Sequence, residues 1–170
     1  KYVKQIKSEF ERIGYKVQLF LLNAATMGVP QRRERVFFIC QREDMGFKKL
    51  ELNFDEKPIT FGKIRNHDND FVVKNDTVKT RLWHKTGGGE CFSKHHKSNG
   101  FFNDYKLSFS VVCPTLTADS NHGGWDYEYC RMMDKEELCK CGTFPLDYDF
   151  KEQKPKYIIG MSVPPVMTAQ

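Results

Sequence analysis

No stretch of the 170-residue chain approaches the roughly 18 consecutive apolar residues that a membrane-spanning helix needs. With 39% hydrophobic residues and a mean hydropathy of −0.60, the composition excludes an integral membrane protein and a disordered tail. There is no Cys-x-x-Cys pair: the six cysteines, Cys40, Cys91, Cys113, Cys130, Cys139 and Cys141, lack the spacing of a small secreted scaffold. Free thiols in a reducing cytoplasm are therefore expected. A compact chain of this mass buries roughly 70% of its unfolded surface, so neither disulfides nor a structural metal are needed for a core. Repeats and low-complexity segments are also absent. No initiator Met or apolar leader precedes Lys1, which opens directly into an amphipathic pattern, so the chain reads as a piece of something longer.

Charge of one sign is not lacking but unevenly placed. The net charge is +5, and residues 1–49 carry +6, 50–113 carry +2 and 114–170 carry −3. A front-loaded positive charge is a weak pointer to an anionic partner. In the same region Val3, Ile6, Phe10 and Ile13 recur at helical spacing, predicting a helix with one buried stripe that Gly14 stops. The apolar runs 17–22 and 36–40 suit strands covered on both faces. Between them Gly28-Val29-Pro30 breaks the chain just before Gln31-Arg32-Arg33-Glu34-Arg35.

From about 51 to 114 the periodicity weakens, and short β-like runs appear at 71–73 and 109–112, as in a loop-rich inserted module. Asp134 with Glu137 three residues on predicts the capping box of a short helix ending near Gly142. Pro164-Pro165 is placed to open a last helix.

The first chemical candidates are Gln31, Arg33 and Arg35. On extended backbone these three share a face, presenting an amide and two guanidinium forks suited to phosphate or carbonyl oxygen. A solvated charge cluster in a loop is the alternative reading. Paired His95 and His96 suggest a metal, but no third and fourth ligand stands at suitable spacing, so none is expected.

Three ordered stretches carry a resemblance. The run from Leu22-Asn23-Ala24 through Gly28-Val29-Pro30-Gln31-Arg32-Arg33-Glu34-Arg35-Val36-Phe37-Phe38-Ile39 resembles the eighth conserved block of the DNA (cytosine-5) methyltransferases. Pro114-Thr115-Leu116-Thr117, Arg131, Glu137-Leu138 and Thr143-Phe144-Pro145-Leu146-Asp147-Tyr148 are similar to the ninth, and Ile159-Gly160-Met161-Ser162-Val163-Pro164-Pro165-Val166-Met167 to the tenth. The implied fold class is mixed α/β. It comprises the edge of a Rossmann-like sheet (1–45), an irregular, β-rich target-recognition domain (46–150) and a returning final block (151–170).

The resemblance implies transfer of a methyl group from S-adenosyl-L-methionine to C5 of a cytosine flipped out of double-stranded DNA. Arg35 matches the position whose guanidinium holds the cytosine O2, where a fixed cation stabilises charge developing on the ring as a nucleophile adds at C6. Gln31 and Arg33 match positions that support the catalytic loop and the phosphate backbone. Thr115, Thr117, Asn121, His122, Gly123 and Gly124 match the start of a recognition loop, with hydroxyls and a flexible Gly-Gly for phosphate and base-edge contact, and Arg131 joins them as a DNA-binding candidate. An ordinary surface turn is the alternative for these side chains. Gly160, Met161 and Ser162 match the block that touches the cofactor, although Met161 stands where Asn is usual. Lys94-His95-His96-Lys97 and the glycines 87–89 have the mixed composition of a DNA-facing loop.

Equally telling are the family elements that the chain lacks. Cytosine C5 methylation needs a thiolate to attack C6 and an acid near N3. The family's Pro-Cys dipeptide, its Glu-Asn-Val run and its glycine-rich cofactor loop do not occur here. Most cofactor binding is therefore expected outside these residues, and the chain alone is expected to be inactive. Cys91-Phe92-Ser93 faintly resembles a Cys-Phe-Thr element of transfer RNA cytosine-5 methyltransferases, which keeps that substrate as one alternative; a non-catalytic DNA-binding module is another. No membrane or protein partner is expected.

Overall fold

The computed structural model describes residues 2–69, 71–97, 100–119 and 121–170. Two compact units divide them: Lys1–Asn23 with Glu34–Asp55, and Ala24–Arg33 with Glu56–Gln170.

In the first unit α1 spans Tyr2–Arg12. Gly14 ends it in the left-handed region at φ 89°, where a residue without Cβ is least strained. Strands β1 (Tyr15–Asn23) and β2 (Glu34–Arg42) then pair antiparallel in unbroken register from Tyr15 opposite Arg42 to Asn23 opposite Glu34. The Gln18 side chain holds the returning chain through a reciprocal pair of bonds, Nε2 to the Leu50 carbonyl at 2.8 Å and Leu50 N–H to Oε1 at 2.9 Å. The helix, its stop and both strands match the sequence pattern; the burial does not. Val17 is the one buried residue among those described in this unit, and Val3, Ile6, Phe10 and Ile13 are all exposed. Periodicity fixes which face is apolar but cannot supply what covers it.

The second unit begins with a turn of 3₁₀ helix at Ala24–Thr26 that buries Ala24, Ala25, Met27 and Val29. After an extended passage come α2 (Phe61–Ile64) and α3 (Val78–Lys85), the latter closed by a reciprocal Thr77–Thr80 capping box. Three two-residue strands, β3 (Glu90–Cys91), β4 (Tyr105–Lys106) and β5 (Gly124–Trp125), form a sheet in which β4 lies antiparallel to β3 and parallel to β5. Around it pack Leu82, Trp83, Phe92, Trp125 and Cys130.

A second core, with Phe61, Leu116, Leu138, Phe150 and Ile159, lies where α4 (Lys135–Gly142) meets α5 (Pro155–Met161). Gly142 is placed by contact as well as by helix ending, since a Cβ there would stand 2.4 Å from Ile159 Cγ2; the left-handed cap is Thr143 instead. The short α6 (Pro165–Ala169) starts at Pro165 as its proline suggests. The fold is mixed α/β, but this unit has less strand than its sequence suggested: 71–73 and 109–112 form no strand, because each offers the backbone no continuous partner. Val73 makes a lone bond to the Cys130 carbonyl, and Phe109 lies in a turn.

Candidate functional site

Extended backbone sends alternate side chains to opposite sides. Accordingly Gln31 and Arg33 are 1% and 2% exposed, whereas Arg32 between them faces solvent. Gln31 accepts the Leu116 N–H on Oε1 at 3.1 Å and donates Nε2 to the Cys141 carbonyl at 3.3 Å. Arg33 donates Nη1 to the Leu116 carbonyl at 2.9 Å and Nη2 to the Gly160 carbonyl at 2.8 Å. The main chain adds a parallel bridge between Gln31 and Cys113, the Arg32 N–H on the Cys113 carbonyl at 2.8 Å, and the Thr115 hydroxyl donated to the Arg32 carbonyl at 2.6 Å. Two buried side chains and these main-chain bonds thus gather four distant stretches, 31–33, 113–116, 141 and 160. Bonds from a guanidinium are the stronger kind, and deleting the donor would strand buried carbonyls.

Gly160 completes this junction. A Cβ on it would lie 2.5 Å from the Thr117 carbonyl carbon and the Ala118 nitrogen, both backbone, so the helix reaches the half-buried Thr117 only with glycine here. Ser162 turns its hydroxyl back to the Ile158 carbonyl at 2.6 Å, and Met161 is 65% exposed. Close by, the Cys113 thiol and full burial push the Cys141 thiol well above its ordinary range, so it stays protonated and donates to the Pro30 carbonyl at 3.6 Å.

Residues 122, 123 and 125 are held by Asp104, which is fully buried. Its carboxylate accepts the Gly123 N–H at 3.1 Å and the Trp125 indole N–H at 2.9 Å and meets His122 Nδ1. Lys79 on α3 donates to the Asn121 carbonyl, and Lys156 on α5 to the Asp119 carbonyl. Burial pulls the Lys156 ammonium below its usual pKa, with Asp119 and Asp104 opposing the shift. Asn121 itself is exposed, its N–H turned to the Asp119 carboxylate at 2.8 Å.

Two expectations are corrected here. Gly123 and Gly124 are no flexible hinge: both are buried, and a Cβ would stand 2.9 Å from Lys156 Nζ and from Leu107 Cδ1 respectively. Gly124 is closely packed against Leu107 and Met133, whereas at Gly123 the nearest atoms are the end of the Lys156 side chain. Arg131 faces the interior rather than a ligand. It is 2% exposed, forked onto Glu137 at 2.7 and 2.9 Å, and it also reaches Asp126 at 3.2 Å. Arg65 completes the cluster on Asp126 at 2.6 Å.

Arg35 lies on β2 opposite Leu22. It is half-buried, with Nη1 on the carbonyl of Glu34 at 2.7 Å. Asp104, Lys79 and Lys156 were missed from sequence, and nothing local marks them, since each looks like an ordinary turn acid or surface lysine until its loop is folded over it. Glu137 announced itself as a helix cap, and its ion pair did not. No cluster of three or more His, Cys, Asp or Glu side chains able to hold a metal occurs among the described residues.

The sequence model of the family described as C-5 cytosine-specific DNA methylase matches residues 1–170. Type II methyltransferase M1.HphI of Haemophilus parahaemolyticus is 30% identical over 188 aligned positions, covering 96% of this chain and 48% of the relative. Type II methyltransferase M.BbvI of Brevibacillus brevis is 28% identical, covering 91% and 47%. The chain thus spans about half the length of these curated relatives. Among solved structures, a triple mutant of Spodoptera frugiperda DNMT2 superposes with a TM-score of 0.62 at 14% identity, covering 98% of this chain and 60% of that one, a likeness of fold.

Proposed function

Since the chain belongs to the C-5 cytosine-specific DNA methylase family, we propose that it forms part of an enzyme that methylates C5 of a cytosine flipped out of double-stranded DNA. The observation that carries this reading is the Arg33 junction, where one guanidinium bonds the Leu116 and Gly160 carbonyls and so joins the three stretches that resemble the family's last blocks. A junction of that connectivity holds the backbone of 115–117 against 31–33 and the end of α5, all within one compact unit.

Arg35 is the catalytic residue in this proposal. Its guanidinium contacts the cytosine O2 and stabilises the negative charge that builds on the ring when a thiolate adds at C6. Gln31 and Arg33 act through the backbone they position, as their burial and carbonyl partners suggest. Thr117, Asn121 and His122 present the recognition loop, with Asn121 the exposed side chain of the three.

S-adenosyl-L-methionine supplies the methyl group. The Gly160 carbonyl and the Ser162 hydroxyl are already committed within the fold, which leaves Met161 to offer an apolar contact and assigns most of the cofactor site to residues outside these 170. Residues 1–45 contribute the edge of the catalytic domain, 46–150 the recognition domain and 151–170 the return. The compact units are divided differently, with 24–33 grouped with 56–170 rather than with the strands on either side of it. The proposed setting is the cytoplasm, and the six thiols, all free, suit it.

The test is transfer of a labelled methyl group to duplex DNA by the intact protein, with transfer RNA as competitor. Transfer to DNA that falls about 10²- to 10³-fold in kcat on Arg35→Ala is expected. Near-normal turnover by that variant, or methylation of transfer RNA in preference to DNA, overturns the reading. The 170-residue chain by itself, lacking a Pro-Cys, is expected to transfer nothing.

A further inference from the structure

We propose that Arg32 is a DNA phosphate contact, and that Thr115, whose hydroxyl the sequence pattern offers to DNA, instead positions Arg32; this rests on the methyltransferase reading above. Arg32 stands between two side chains that are turned inward and bonded to buried backbone, Gln31 and Arg33. Its own main chain is fixed from both sides, the N–H by the Cys113 carbonyl at 2.8 Å and the carbonyl by the Thr115 hydroxyl at 2.6 Å. The side chain is exposed, and its guanidinium makes no hydrogen bond or ion pair among the described residues. Arg33, Arg65 and Arg131 all spend their donors inside the protein.

A solvent-facing arginine usually gains little from a partner because ordering its long side chain and stem costs entropy. Here the backbone from which the side chain springs is fixed before any ligand arrives, by those two bonds and the isolated parallel bridge between Gln31 and Cys113, so only side-chain freedom is lost on contact. What remains is a planar fork of donors carrying a full charge, the group best matched to a phosphodiester oxygen pair. Thr115 has one hydroxyl proton, and it is already donated to Arg32. A phosphate approaching this surface therefore meets the guanidinium as donor, while the threonine fixes the direction from which it reaches out. Such a contact reads no sequence; it sets register and orientation for the groups that do.

Arg32→Gln in the intact protein tests the assignment. Binding to a short duplex is measured across a salt series, with a target-containing and an unrelated sequence. Removing one phosphate contact lowers the slope of log K against log salt by about 0.9 and weakens both sequences alike. Arg32→Lys, which keeps the charge, restores the slope, whereas a merely structural role would leave the slope unmoved in both variants. Thr115→Val is expected to weaken binding in the wild-type background and to add nothing to Arg32→Gln.

An unchanged slope in Arg32→Gln overturns the inference, as does a loss confined to the target sequence. A wild-type protein that methylates DNA while Arg32→Gln keeps its slope refutes this inference alone. A wild-type protein that neither binds nor methylates duplex DNA refutes the functional reading together with it.

Discussion

Arg33, Arg65 and Arg131 are chemically identical and each is nearly absent from the surface, yet they are held differently. Arg33 meets carbonyl oxygens, Arg65 the buried carboxylate of Asp126 and the exposed one of Glu128, and Arg131 two buried carboxylates and a set of backbone carbonyls. The Arg131–Glu137 fork is costly to break, because deleting Glu137 leaves a buried guanidinium with Asp126 alone, itself shared with Arg65, as its remaining carboxylate. Glu137→Ala is therefore expected to lower stability by about 3–5 kcal/mol in urea unfolding. Glu136→Ala, which loses a half-exposed pair with Lys140, should cost about 1 kcal/mol or less. Equal effects from the two would show that the buried fork carries no special weight. The sequence offers Arg131 as a match to the ninth block and as a DNA-binding candidate, not as half of a buried ion pair. Its partner Glu137 was visible, but as a cap, since spacing within one turn is local information and an ion pair with a preceding loop is not.

At the scale of elements, glycine decides where helices and loops approach. Gly160 lets α5 press onto the Thr117–Ala118 backbone, and the same residue lends its carbonyl to Arg33. Gly160→Ala forces a methyl group against main-chain atoms that have no rotamer by which to yield. A loss of about 1–3 kcal/mol is expected in the same unfolding measurement. Its exposed neighbour provides the control: Met161→Ala should stay within about 0.5 kcal/mol. A Gly160→Ala variant as stable as Met161→Ala would refute the close approach. The helix starts were more legible. The Asp134–Glu137 box forms with both reciprocal bonds, at 2.9 and 3.0 Å, because a cap needs only the four residues that the sequence displays in a row.

Across the whole molecule, the buried Asp126 and the half-buried Asp134 are expected to shape the response to acid. Burial raises Asp126, but Arg65, the N–H groups of Tyr129 and Glu128, and Arg131 outweigh it and hold its pKa below the ordinary aspartate value. Asp134 behaves alike, burial opposed by the Glu137 N–H and the Asn69 and Asn66 amides. The folded pKa lies below the unfolded one in both, so the unfolded chain binds protons first as pH falls. Their contribution is complete above the ordinary aspartate range and is lost as pH drops through the folded values. Melting temperature is thus expected to decline steadily from about pH 5 to about pH 3, and less so in an Asp126→Asn, Arg65→Met double variant. A profile in that variant as steep as the wild type's would assign the acid response to other groups.

The sequence by itself determined the helical stripe of α1, the stop at Gly14, the paired strands, the α4 cap and the family. All of these reside in neighbouring residues or in ordered motifs that fix chemistry and period. Tertiary structure alone decided which arginines are buried as struts and which stay open to solvent. It buried Arg33 through partners 83 and 127 residues away, tied Gln31 to a carbonyl 110 residues away, and turned the Thr115 hydroxyl onto a backbone 83 residues upstream. Burial and hydrogen-bond direction depend on what arrives from elsewhere in the chain, and no local pattern carries that information.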